Sequence, residues 1–149
     1  MKKKLNSSKI ELNKSLKAGK VEEAGIIYNT KPSRLTKEFT FSEFKKIADK
    51  VDLTQKEWSD ILHISERTLQ RYSKENSTFN FGVIDRILLI DKVFKKGIDV
   101  FGNARDFLAW LKGGPVSIEG KLSFGSLASF DGTNKILNQL GRIEHGILA

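Results

Sequence analysis

Beyond residue 37, apolar residues recur at helical spacing along most of the chain. Phe41, Phe44, Ile47, Ala48 and Val51 predict a first helix, with Thr40 as its N-cap. Asp52 and Leu53 interrupt it. Thr54-Gln55-Lys56-Glu57 then has the capping-box pattern, in which the Thr54 hydroxyl takes the Glu57 amide and Glu57 reaches back. Trp58, Ile61 and Leu62 form the apolar face of the short helix that follows. His63-Ile64-Ser65 is a tight connection. Ser65 caps a third helix, from Glu66 to about Ser73, with Leu69 and Tyr72 facing inward. After the polar stretch Lys74 to Thr78, the residues Ile84, Ile87, Leu88, Asp91 and Phe94 predict a longer helix from about Phe81 to Lys96. Gly97 is its expected stop.

Asn103 caps a further helix with Ala104, Phe107, Leu108 and Leu111 on one face, ended by Gly113-Gly114-Pro115. Lys112 to Phe130 is rich in Gly and Ser and reads as an ordered loop, with a helical turn near Phe124 to Leu127. Asp131 is the expected cap of the last helix, whose stripe is Ile136, Leu137, Leu140, Ile143 and Ile147. Residues 1–37 differ. Two weak helical pieces, around Ile10, Leu12 and Leu16 and around Val21, Ala24, Ile27 and Tyr28, are separated by Gly19 and closed by Pro32-Ser33. The expected fold class is therefore all-α. A basic N-terminal arm over 1–37 is weakly helical or flexible. A helix-turn-helix domain covers 38–101, and a smaller helical domain covers 102–149.

Composition narrows the function. The 149 residues are 39% hydrophobic and 30% charged, as in a soluble globular protein. The absence of Cys excludes disulfides, thiol catalysis and thiolate zinc sites, and it fits a reducing, cytoplasmic location. Two His, His63 and His145, are too few and too scattered for a His-rich metal site. No apolar run approaches the roughly 18 residues of a membrane span, so no membrane partner is expected. The basic start MKKKLNSSKIELNKSL lacks the apolar core of a signal peptide.

The net charge of +8 suggests a nucleic-acid partner, and its position qualifies that suggestion. Residues 1–37 hold ten Lys/Arg and three acids, residues 38–101 eleven of each, and residues 102–149 five and four. The basicity lies in the leader. Such an arm adds phosphate contacts beside a DNA-binding domain, or is simply solvated.

Thr54 to Tyr72 has the dimensions of a helix-turn-helix, whose second helix enters the major groove by its N-terminal residues. The candidate DNA-binding residues are Ser65, Arg67, Thr68, Gln70 and Arg71. Arg pairs with guanine, Gln with adenine, and Thr with a phosphate or a thymine methyl, while Ser65 and the helix N-terminus receive a phosphate. The competing explanation is a capped helical hairpin that never meets DNA, with Arg67 and Arg71 tied to Glu66 or Glu75. No catalytic constellation is legible. His63 lies in the turn and His145 has no Cys partner. Asp49, Asp52, Glu57 and Asp60 are interleaved with Lys46, Lys50 and Lys56 as on a solvated face. The glycines from Gly113 to Gly132 lack a phosphate-loop pattern. No enzyme activity, cofactor or metal is expected.

Ala109-Trp110-Leu111, Glu119-Gly120-Lys121 before Leu127, and LGRIEHGILA from Leu140 to Ala149 resemble the toxin-binding domain of the Xre/MbcA/ParS family of antitoxins. Ser65 to Arg71, SERTLQR, resembles that family's Xre-like helix-turn-helix. The resemblance covers about residues 40–149, and GRIEHG is its most specific part. It departs in the loop, where Lys112-Gly113-Gly114-Pro115 stands for the family's usual Pro-Asn pair after the Trp-Leu helix and Ser123-Phe124 for its usual Pro before the Leu-Leu segment. The resemblance implies a type II antitoxin that neutralises a RES-domain toxin, an enzyme consuming NAD or transferring ADP-ribose, by covering its active site. It also implies binding to operator DNA that autoregulates the operon, most simply as a homodimer. The residues it marks for toxin binding are Arg142, Glu144, His145, Gly146 and Ala149, with Gly146 allowing close approach and Ile143 and Ile147 anchoring the last helix. The alternative is a helix-turn-helix transcriptional regulator whose C-terminal domain only dimerises. A third possibility is an interaction module that keeps the scaffold without binding DNA.

Overall fold

The computed structural model describes residues 38–147. The basic arm expected over 1–37 lies outside the described residues, as does Ala149. Helix α1 spans Phe41–Ala48. Thr40 occupies its N-cap, yet the Thr40 side chain makes no capping bond. Asn76, far along the chain, takes that role: its Oδ1 accepts the Ser42 N–H at 2.9 Å and the Ser42 hydroxyl at 2.7 Å. Asn76 reaches there because it ends another helix in the left-handed conformation, with φ 47°. A Thr40–Thr78 bridge and the Phe79 N–H donating to the Phe39 carbonyl close the same corner.

Helix α2, Gln55–Leu62, has the capping box as the sequence predicts, with Thr54 N–H donating to Glu57 Oε2 at 2.8 Å. Helix α3 spans Glu66–Glu75, and Ser65 Oγ accepts the Thr68 N–H at 3.0 Å. It runs past the expected end at Ser73, because Asn76 supplies the left-handed stop. Helix α4 spans Phe81–Phe101, so Gly97 does not stop it. The stop is Gly102 at φ 85°, whose N–H donates to the Ile98 carbonyl. Gly97 serves packing instead. A Cβ built there would lie 2.5 Å from the ring of Phe107 on helix α5, Ala104–Lys112.

The Gly/Ser-rich stretch holds more structure than the expected loop. Strands β1, Val116–Ser117, and β2, Gly120–Lys121, pair antiparallel with Val116 opposite Lys121. A 3-10 helix spans Phe124–Ala128, where the sequence predicts a helical turn. The last helix, α6, spans Phe130–Glu144. Its cap is Ser129, whose Oγ accepts the Gly132 N–H at 3.0 Å. Asp131, the expected cap, sits inside the first turn and pairs with Lys135 at 2.6 Å.

One hydrophobic core serves all these elements, and the chain from Phe39 onward is one compact unit. Ile87, Ile90 and Val93 of α4 are fully buried. Aromatic rings run through the core edge to face: Tyr72 to Phe79, Phe79 to Phe44, Phe44 to Trp58 at 5.0 Å, Trp58 to Phe94 at 5.9 Å, and Phe94 to Phe107 at 6.0 Å. The core runs on past residue 101 into α5 and α6. The one charge in α4's buried face, Asp91, lies between Lys50 at 3.5 Å and Lys95 at 2.6 Å.

Gly97→Ala is expected to destabilise the fold by about 1–3 kcal/mol through overpacking against Phe107. Gly141→Ala on α6, where a Cβ meets nothing within 4 Å, is expected to stabilise it by about 0.5–1 kcal/mol. Urea unfolding of the two variants checks the opposite signs.

Candidate nucleic-acid interface and C-terminal surface

The turn between α2 and α3 is built by a left-handed residue and three side-chain tethers. His63 adopts φ 56°, a left-handed geometry uncommon outside glycine. Its ring Nε2 lies 2.7 Å from the Ala128 carbonyl. A carbonyl only accepts, so Nε2 carries the proton and donates. Arg86 of α4 donates through Nη1 to the Ile61 carbonyl at 3.3 Å and the Leu127 carbonyl at 3.2 Å. It thereby satisfies a carbonyl at the C-terminal end of α2. Gln55 Nε2 donates to the Glu66 carbonyl at 3.0 Å, linking the start of α2 to the start of α3. None of these three tethers is visible in the sequence pattern, because each joins residues distant along the chain or exposed by periodicity.

Held this way, α3 buries Leu69 and half-buries Tyr72, and it presents Arg67, Gln70 and Arg71 to solvent. Among the described residues neither Arg67 nor Arg71 forms an ion pair, so the feared tie to Glu66 or Glu75 is not made there. Arg71 stacks its guanidinium over Tyr72, 5.5 Å from the ring centroid. Ser65 and Thr68 bond to each other, Oγ to Oγ1, at 2.8 Å. Whichever hydroxyl donates, the other keeps one O–H for an outside acceptor. Beside α3 lies a groove walled by α1, α3 and α5, with Gln70 and Lys74 on one wall and Lys45 and Arg105 on others. Its cations come from three elements. The groove's excess of cations over Asp49 and Asp52 comes largely from Arg105 and Lys112 of α5, which lie beyond the charge-balanced residues 38–101.

The C-terminal surface is organised differently from expectation. Arg142, a candidate toxin contact, donates through Nη2 to Glu119 at 3.1 Å, and Asn138 donates to the same carboxylate at 3.2 Å. Arg142 thus braces the β1–β2 turn against α6. Glu144 is ion-paired with Lys96 of α4, which lowers its carboxyl pKa, yet its side chain remains 42% exposed. His145 is exposed beside it. Gly146, at φ 69°, ends α6: its N–H donates to the Ile143 carbonyl and the Ile147 N–H to the Arg142 carbonyl. The glycine is required by this left-handed cap, a sufficient reason without any close approach by a partner. The helix therefore stops at Glu144. Ile143 is half-buried as an anchor, whereas Ile147 is 56% exposed and anchors nothing. Val116 and Ile118 of the hairpin, also exposed, escaped the sequence reading because that stretch carries no helical period.

Residues 40–90 match the family model of the antitoxin Xre-like helix-turn-helix domain. The match runs from α1 to the middle of α4, so it contains the turn, its caps and the exposed face of α3. It supports an antitoxin or a DNA-binding regulator. No curated protein matches the chain. Among the described residues no helix is long and apolar enough to cross a membrane, and no cluster of His, Cys, Asp or Glu suits a metal ion.

Glu57 couples the Xre-like segment to α5. It closes the α2 capping box and pairs with Lys112 at 2.6 Å. The Lys112 hydrogen bond, with the Thr54 donors, holds its carboxyl below the ordinary range despite partial burial. A depressed carboxylate pKa stabilises the fold fully above the unfolded value of about 4.3, and that contribution is lost as pH falls through the folded value. Glu57→Gln keeps a capping side chain and removes the charge. Its stability deficit in urea melts is expected to be constant from neutral pH to about pH 5 and to shrink below about pH 4.

Proposed function

We propose that this chain is the antitoxin of a type II toxin–antitoxin pair, neutralising a RES-type toxin that consumes NAD or transfers ADP-ribose, and repressing its own operon by binding operator DNA. The observation that carries the reading is the match of residues 40–90 to the antitoxin Xre-like domain, in a segment whose α3 exposes Arg67, Gln70 and Arg71. The chain acts on DNA as a homodimer, since two-fold proteins suit two-fold operators. Arg67 and Gln70 read base edges, and Lys45, Lys74 and Arg105 face the phosphate backbone from the adjoining groove.

Toxin binding falls to the C-terminal surface, which the Xre-like match does not cover. The resemblance of GRIEHG to the family's toxin-binding domain supports this, as do the exposed apolar side chains of Val116, Ile118 and Ile147. An NAD pocket carries cationic or amide donors for the pyrophosphate. The exposed Glu144 carboxylate is suited to occupy such donors. Arg142 acts by bracing Glu119, and Gly146 by turning the chain after α6.

Two experiments test the reading. Arg67→Ala with Arg71→Ala is expected to weaken operator binding in a gel shift by at least tenfold, on the order of 1–3 kcal/mol per lost base contact. Lys74→Ala should weaken all sequences alike and flatten the salt dependence by about one unit of slope. Unchanged binding in both would remove the DNA arm of the proposal. Deleting His145 to Ala149 leaves the Arg142–Glu119 and Lys96–Glu144 pairs in place. It is expected to preserve the thermal transition but abolish protection of cells from the co-expressed toxin. Full protection by the truncated chain would sink the toxin arm.

A further inference from the structure

The outward side of α4 carries an apolar patch that no described residue covers. Leu88 is 43% exposed in the middle of the helix, with Leu89 beside it. Phe130, at the start of α6, is 68% exposed and lines the same shallow groove, and Phe81 at the start of α4 is 65% exposed. Asp85 and Lys92, both exposed, also line that groove, one a helical turn before the leucines and the other a turn after. Among the described residues neither takes part in an ion pair. Arg86, at its edge, is already spent on the Ile61 and Leu127 carbonyls.

We infer that this face of α4 is the interface between two copies of this chain, packed antiparallel about a two-fold axis passing between Leu88 and Leu89. The charge order selects the occupant and the orientation. Residues facing each other across an antiparallel two-fold have numbers with a constant sum. With the axis between Leu88 and Leu89, Leu88 meets Leu89 of the mate, and Asp85 meets Lys92 of the mate twice over. The two ion pairs then stand roughly 10 Å apart along the helix, on either side of the leucines. A parallel pairing would place Asp85 on Asp85 and Lys92 on Lys92. A two-fold interface must be self-complementary, and a single helix face with an acid at one end and a base at the other meets that condition. Phe130 and Phe81 extend the apolar area beyond the leucines. The inference deepens the operator-dimer reading by naming its surface. The pairing is measured without DNA or toxin, so its failure would leave the other parts of that reading standing.

Sedimentation equilibrium of the full chain over a range of concentrations tests it. The wild type is expected to be dimeric at micromolar concentration. Asp85→Lys and Lys92→Asp alone should each raise the dimer Kd by about tenfold or more, because each sets like charges against each other twice. The double variant carrying both reversals should return to within a few-fold of wild type. Leu88→Glu should be monomeric with its helical circular dichroism retained. The chain has no Cys, so Leu88→Cys gives a single thiol that a short bis-maleimide should link between copies. A monomeric wild type at about 100 μM, a dimer indifferent to the charge reversals, or a double variant no better than the single ones would overturn the inference. The exposed charge reversals keep it falsifiable even if Leu88→Glu fails to fold.

Discussion

The edge-to-face contact of Trp58 with Phe94, continued from Phe94 to Phe107, is the constraint on which the rest of the molecule depends. Trp58 belongs to the first helix of the helix-turn-helix, Phe94 to the long helix, and Phe107 to the helix that follows it. All three are buried, so their transfer from water adds to the favourable ring geometry. Phe107 comes this close only because α4 has no side chain at Gly97. The helix-turn-helix is therefore not an independent module joined to a second one. Its core continues into the part of the chain that lies beyond the Xre-like match.

That continuity explains how a marginal motif becomes a rigid one. Helices α2 and α3 are short, and isolated helices of that length are unstable in water. They persist because α4 lies under them and because the 3-10 segment receives His63 and Arg86 bonds from either side. Glu57 adds a tie to Lys112 on α5. The exposed face of α3 is thus held by contacts from residues far away in sequence. The same folding sets Arg105 of α5 beside Lys45 and Lys74 on one groove, adding a cation from beyond the charge-balanced segment.

Much of the helical layout was legible. The Thr54–Glu57 box, the Ser65 and Asn103 caps, and the stripes of α2, α3 and α5 follow from local pattern, because each involves residues within one or two turns. The failures share a cause. Gly97 looks like a stop because glycine favours left-handed ends, and only the position of Phe107 shows that it is a packing notch. Thr40 looks like a cap, but Asn76 outcompetes it from the other end of α3. Asp131 looks like a cap, but Ser129 starts the helix two residues earlier. The hairpin around Ser117 and Gly120 is too short to carry a period of two. At the site, the outward positions of α3 were legible from the helical period. The engagement of Arg142 with Glu119, and the turning role of Gly146, were not, since they depend on which face of α6 meets the hairpin.

The amino-acid order by itself determined the all-α class, the helix-turn-helix with its caps, and the exposed row Arg67, Gln70 and Arg71. Helical period and capping chemistry act over a few residues and need no knowledge of the partner elements. Only the tertiary structure decided that one aromatic core spans both halves. It alone decided which cations share a groove and which C-terminal charges are spent inside the molecule. It also decided which apolar side chains of α4 and the hairpin are exposed among the described residues. These properties depend on which faces meet, and burial is settled by the whole packed chain rather than by any stretch of it.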